Sequence, residues 1–207
     1  MEDRWLAWAK QLQAIASTGL SFCKDEFDQE RYGEIAHIAK SMIAQLGTVP
    51  IERIEGLVSD FAKGYATPKV DVRGAVIEED KILLVRERSD GCWTLPGGFA
   101  DVGRSAAENV VKEIWEEAGI AVSARSLYSV RHKAKQPYEP DARDFYKLFF
   151  ICERTDLTAP SARGETTDVD FFPADRLPRL SRGRVVESDI EAAFAFQRGS
   201  LHTTIFD

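Results

Sequence analysis

The chain has 207 residues, 44% of them hydrophobic and 10% aromatic, enough for one globular domain plus a smaller unit. Its net charge of −7 excludes a broad basic footprint for duplex DNA. Cys23, Cys92 and Cys152 are too scattered for a disulfide framework or zinc spacing. The N-terminus has no signal-peptide pattern, and no apolar run reaches the roughly 18 residues of a membrane span. A soluble, cytoplasmic protein without membrane contact is expected.

Residues 1–66 read as an all-helical N-terminal domain. Apolar residues recur at helical spacing in Trp5, Trp8, Ala9, Leu12, Ile15 and Ala16, up to Gly19. A second run begins after Asp28, with Tyr32, Ile35, Ala36, Ala39, Met42, Ile43 and Leu46, before Gly47 and Pro50. Ile51, Ile54, Leu57, Val58 and Phe61 form a third. Three short helices bury little apolar surface alone, so they are expected to pack on the main domain, on a twin, or on both.

Residues 67–207 alternate strands with two helices. Lys69 to Ile77 and Lys81 to Arg86 predict a hairpin around Glu78, Glu79 and Asp80. Ala124 to His132, Phe145 to Cys152 and Asp168 to Phe172 read as further strands, and Gln136 to Arg143, with two prolines, as a loop. Ser188 to Arg198 closes the chain as an amphipathic helix. This pattern predicts an α/β/α sandwich.

The chemistry concentrates between Gly97 and Ile120, in G-G-F-A-D-V-G-R-S-A-A-E-N-V-V-K-E-I-W-E-E-A-G-I. Ser105 and Glu108 form an S-x-x-E capping box, so a helix is expected just after Ser105, with Gly119 as its stop. At a helical pitch, Glu113, Glu116 and Glu117 share one face, while Ala107, Val110, Val111, Ile114 and Ala118 share another. Like charges at i,i+4 destabilise a helix by about 0.2–0.5 kcal/mol per pair. A solvated acidic face is one reading of the three glutamates. The other is a site for a hard divalent cation such as Mg2+, which takes carboxylate oxygens together with substrate phosphates.

The stretch resembles the Nudix box, G-x5-E-x7-R-E-U-x-E-E-x-G-U, where U is aliphatic. Gly98, Glu113, Ile114, Glu116, Glu117, Gly119 and Ile120 match in register. Arg104 stands where the family has glutamate, and Lys112 where it has arginine. The N-terminal segment is similar to the helical extension of one branch of that family, through W-L-x-W-A-K, K-D-x-F-D-x-E-R-Y (Lys24 to Tyr32) and K-V-D-V-R-G (Lys69 to Gly74). That branch includes CDP-choline pyrophosphatase-like and ADP-ribose pyrophosphatase-like enzymes. The resemblance implies a Nudix α/β/α sandwich with a mixed sheet, a homodimer built in part by the extension, and Mg2+, or Mn2+ in its place.

The reaction it implies is hydrolysis of the diphosphate bond of a nucleotide conjugate, giving a nucleoside monophosphate and a phosphorylated moiety. Glu113, Glu116 and Glu117 are the implied metal ligands, with the Gly97 carbonyl as a further one. The base is a box carboxylate, Glu116, or Glu165 in the loop R-G-E-T-T-D; Glu165 also reads as a solvated loop residue, and Asp168 is a further candidate. Lys112 keeps the charge of the family arginine but loses its bidentate fork. Arg104 could contact a substrate phosphate or balance loop charge. Arg73 and Arg86 suit phosphate oxygens or surface ion pairs, Arg86 with Glu87 or Glu78. Tyr138 could stack on a base or sugar, or simply pack. His37, His132 and His202 lack ligand spacing. Two alternatives stay open: a non-catalytic ligand-sensing regulator, favoured by Arg104, and a nuclease-like side activity on RNA ends.

Overall fold

A computed structural model of the chain describes residues 3–46 and 66–207. The chain divides into two compact units: Met1–Lys69 with Lys133–Phe145, and Val70–His132 with Tyr146–Asp207. The first unit holds helices α1 (Arg4–Phe22) and α2 (Glu26–Leu46). Asp3 caps α1 by accepting from the Trp5 amide at 2.8 Å. The expected third helix lies outside the described residues.

The buried face of α1 is rotated from the one its hydrophobic residues suggest. Leu6, Ala9, Gln13, Ala16 and Ser17 are buried, whereas Trp5, Trp8, Leu12 and Ile15 are exposed. In burial, Gln13 Nε2 donates to Ser17 Oγ at 3.0 Å, while Gln13 Oε1 has no partner among the described residues. The loop read from sequence at Gln136 to Arg143 falls within Lys133–Phe145, which belongs to this first unit. Ala142 packs with Leu6, Ala9 and Ile43, and Asp144 pairs with Lys10 at 3.1 Å.

The second unit contains a mixed sheet. Its strands are β1 (Lys69–Glu78), β2 (Lys81–Glu87), β3 (Trp93–Thr94), β4 (Val122–His132), β5 (Phe145–Arg154), β6 (Thr166–Pro173) and β7 (Ile205–Phe206). The order is β3-β2-β1-β5-β4-β7, with β6 also on β2. The β4–β7 pair is parallel, while β2 runs antiparallel to β1, β3 and β6, and β4 antiparallel to β5. The β1–β2 hairpin turns through Glu79 and Asp80, both at positive φ, as a tight two-residue turn demands.

Two helices cover this sheet: α3 (Ala106–Ala118) and α4 (Glu187–Gln197). Val110, Ile114 and Ala118 of α3 enter one core with Val72, Val76, Leu83, Val85, Phe150 and Cys152. Fully burying such a Val or Ile side chain contributes about 1.5–3 kcal/mol. Alternation along β5 sends Phe149 to the opposite face. There it meets Tyr128, whose ring neighbours Phe196 and whose hydroxyl donates to the Asp189 carbonyl on α4 at 3.1 Å. The sandwich expected from sequence is thus formed, with one helix on each face. The two-residue strands β3 and β7 went unforeseen, being too short to show any period.

Candidate active site

The glycine turn is held against β1. The Val72 amide donates to the Gly98 carbonyl at 2.8 Å, the Gly74 amide to Pro96 at 2.9 Å, and the Ala100 amide to Val70 at 3.0 Å. Gly97 has φ 145°, and a Cβ there would lie 2.0 Å from the Val72 carbonyl oxygen. Only glycine lets the turn lie this close to the strand.

Helix α3 delivers carboxylates to that turn. Ser105 and Glu108 form the anticipated reciprocal capping box, and Gly119 ends the helix in the left-handed conformation. Glu117 is only 8% exposed, and its Oε2 accepts from the Gly97 amide at 2.9 Å. Glu113 lies against Gly98, where a Cβ would come within 2.9 Å of Glu113 Oε2. Burial pushes Glu117 up to about 7, against the pull of Arg73 and the Gly97 amide, with Glu87 and Glu113 adding to the rise. Burial also raises Glu113, against Lys112. The backbone at Glu117 is anchored too: its carbonyl accepts from Thr166 Oγ1 at 2.8 Å and from the Arg163 amide at 3.1 Å.

Glu116 behaves differently. It is half exposed and pairs with Lys112 Nζ at 2.8 Å. Lys112 also reaches Asp101 at 3.3 Å and Glu113 at 3.6 Å. One ammonium therefore bridges three carboxylates, where an arginine would offer a planar fork. Among the described residues, no three carboxylate, histidine or cysteine side chains are gathered as a ready metal cage. Glu113 and Glu117 suit a hard cation: both are oxygen donors whose ionised form is disfavoured chiefly by burial, and a bound positive charge would offset that. Glu116 is engaged by Lys112 through Oε2. The Gly97 carbonyl accepts no hydrogen bond among the described residues.

The arginines depart from their expected roles. Arg73 is 4% exposed and buried in an ion pair with Asp71, so it is neither a surface partner nor open to a phosphate. Arg86 is exposed and donates to the Gly91 carbonyl at 2.9 Å rather than to Glu87 or Glu78. Glu78 is paired with Arg154 at 3.3 Å, and Glu87 with Arg184 at 3.1 Å. Arg104 is exposed; the bonds with Ser105 hold Glu108 below the usual carboxylate range, and the charge of Arg104 adds to that. Tyr138 belongs to the first unit and is 5% exposed, so its ring offers no stacking surface. Glu165 is exposed on the loop before β6, and its charge is felt by Glu87. Asp168 is also exposed, opposite Arg86 in the β2–β6 register.

Three contributors escaped the sequence reading. Glu87 is buried, and burial raises its carboxyl against Arg184 and Arg73. Its signal is alternation: it follows Leu83 and Val85 on the core side of β2. Asp101 is the outlying partner of Lys112. Asn109 is fully buried and ties down the loop before α3. It accepts from the Asp101 amide at 2.9 Å, and its Nδ2 lies 3.3 Å from the Asp101 carbonyl and 3.1 Å from that of Ser105. Asn109→Ala is expected to cost about 1–3 kcal/mol, read by urea denaturation, because it orphans buried backbone groups.

Residues 67–193 match the NUDIX domain, and residues 3–58 the UDP-X-like N-terminal oligomerisation domain. The chain belongs to the Nudix family. It is an enzyme of that family, a Nudix pyrophosphatase. It is 44% identical over 207 residues to a putative ADP-ribose pyrophosphatase, YjhB, of Bacillus subtilis (strain 168), covering 100% of this chain and 99% of the relative. A crystal structure of a UDP-X diphosphatase is 33% identical with a TM-score of 0.63, over 98% of this chain and 97% of that one. An ADP-ribose pyrophosphatase from Streptococcus suis 89-1591 is 38% identical with a TM-score of 0.62, over 68% of this chain and 100% of that one. Among the described residues, no helix is long and apolar enough to cross a membrane.

Proposed function

We propose that the protein hydrolyses, with a divalent cation, the diphosphate bond of a nucleoside diphosphate linked to another moiety. The products are a nucleoside monophosphate and the phosphorylated moiety. The observation that carries this reading is the pair Glu113 and Glu117, brought to the glycine turn with Glu117 buried and bonded to Gly97. Nudix enzymes generally use a divalent metal, and Mg2+ is the cation proposed here, with Mn2+ as its substitute.

Glu113, Glu117 and the Gly97 carbonyl would hold the cation, joined by Glu116 once Lys112 releases it. When bound, the cation supplies charge neutralisation on the phosphate oxygens and lowers the pKa of a water. The chain's own residues do the rest. Glu117 is held in place by Gly97, and Lys112 balances the outer carboxylates. Glu165, exposed on its loop, is the proposed base that takes a proton from water; Glu116 is the alternative base. Arg86 and Arg104, both exposed, are the proposed phosphate contacts. The two relatives named for ADP-ribose, and the one named for UDP-X, support a nucleotide conjugate as substrate. CDP-choline-type conjugates are proposed with them. The Arg104 exchange leaves the helical carboxylates in place, so it favours altered loop chemistry over a non-catalytic sensor.

The test is to incubate the pure protein and Mg2+ with ADP-ribose, CDP-choline and a UDP-linked sugar. Monophosphate release from at least one supports the reading; no cleavage of any of them with Mg2+ or Mn2+ refutes it.

We also propose a cytoplasmic homodimer built on the first unit. Trp5, Trp8, Leu12 and Ile15 form an exposed apolar stripe on α1, with Trp8 45% exposed, and large aromatics are typical interface anchors. Trp8→Glu is expected to shift the protein toward monomer in sedimentation experiments at micromolar concentration.

A further inference from the structure

Behind the glycine turn lies a cluster of three buried charges. Asp71, Arg73 and Lys147 are all nearly inaccessible. Asp71 Oδ1 accepts from Lys147 Nζ at 2.6 Å and from Arg73 Nε at 3.0 Å, and Asp71 Oδ2 accepts from Arg73 Nη2 at 2.8 Å. The remaining Arg73 nitrogen, Nη1, donates to the Leu95 carbonyl at 3.1 Å. Two residues further on, the Gly97 amide donates to Glu117 Oε2 at 2.9 Å. A continuous path thus runs from Lys147 through Asp71 and Arg73 to Leu95, and along the turn to the Glu117 carboxylate.

Stability alone does not account for this cluster. Removing each ion from water costs several kcal/mol before pairing, and well-packed apolar residues of similar volume often do as well or better. The geometry offers another account. All three Arg73 nitrogens already donate, in a fork that fixes the guanidinium against both Asp71 and the turn. Lys147 holds Asp71 from the second side, so the carboxylate cannot swing away with the arginine.

We propose that Asp71, Arg73 and Lys147 form a buried clamp that positions the Glu117 carboxylate through the Leu95–Gly97 segment, with Arg73 a positioning residue rather than a phosphate ligand. The proposal rests on the reading of Glu117 as a cation ligand. Partners that orient a ligand from behind typically alter metal affinity 10- to 100-fold when changed.

The test is Arg73→Lys in the full-length protein, which keeps the charge and loses the fork. Mn2+ binding to the substrate-free protein is followed by electron paramagnetic resonance at a temperature where both forms are folded. The clamp predicts affinity weakened by about 10-fold, with KM for the nucleotide conjugate, at saturating Mn2+, within about twofold of the parent. Unchanged Mn2+ affinity with a raised KM would make Arg73 a phosphate ligand and overturn the proposal. Unchanged affinity with only a lower Tm would make the cluster purely structural and overturn it equally. A parent protein that binds no Mn2+ would refute the cation site itself, and the clamp with it. Should Arg73→Lys not fold, Lys147→Met carries the test: weaker Mn2+ binding supports the clamp and unchanged binding overturns it.

Discussion

Glu117→Gln is expected to abolish turnover, by more than about 10²-fold, while the protein stays folded. The amide can still accept from the Gly97 N–H, so the turn keeps its bond. What is lost is a negative charge at the proposed cation site. Activity near the parent level would remove Glu117 from the site. The same variant carries a second expectation. The folded pKa of Glu117, about 7, lies above its ordinary value of 4.5. A raised pKa means that the neutral form favours folding. That contribution is complete below about pH 4.5 and is lost as pH rises through 7. The metal-free parent should therefore lose up to about 3 kcal/mol between pH 4.5 and 8 on account of this group. Glu87 and Glu113, also raised, act in the same direction. Denaturation at both pH values should show a flatter profile for Glu117→Gln, and a higher Tm than the parent at pH 8. An identical slope in both proteins would show that Glu117 is not the buried group that titrates.

Gly97→Ala is expected to be the most destabilising single methyl in the site. The added Cβ would stand 2.0 Å from the Val72 carbonyl oxygen and 2.9 Å from the Arg73 Cα, both backbone atoms of β1. Backbone cannot rotate aside as a long side chain can, so the turn must leave β1. That movement would break the bonds from Val72 and Gly74 to the turn and withdraw the Gly97 amide from Glu117. A cost of about 4 kcal/mol or more is expected, in the range reserved for severe backbone or packing defects. Urea denaturation measures it directly. A loss under 1 kcal/mol would mean that the turn is not pinned as described.

What could be read from sequence was local. The capping box of α3, its Gly119 stop and its apolar stripe depend on residues a few positions apart, and each is present in the fold. The β1–β2 hairpin and the existence of β5 were legible for the same reason. The fate of individual polar groups was not. Arg73 reads as a surface arginine until Lys147, 74 residues away, comes to share Asp71 with it. Gln13 and Ser17 are buried on α1 and joined by one hydrogen bond, while Trp5 and Trp8 face outward; a ranking by hydrophobicity inverts that choice. Tyr138 sits in a polar stretch with prolines, yet it is buried in the unit formed with the N-terminal helices. The stripe of three glutamates was likewise visible as a stripe. Its division into two carboxylates at the turn and one on Lys112 needed the position of Asp101 and the depth of the turn.

The central claim is cation-dependent cleavage between the two phosphates of a nucleotide conjugate. The most direct measurement is to titrate Mg2+ into metal-free protein with ADP-ribose and to identify the products by chromatography. The account predicts no turnover without the cation, and adenosine monophosphate with ribose phosphate once it is present. Equal turnover in chelator, or release of inorganic phosphate in place of the monophosphate, would contradict it.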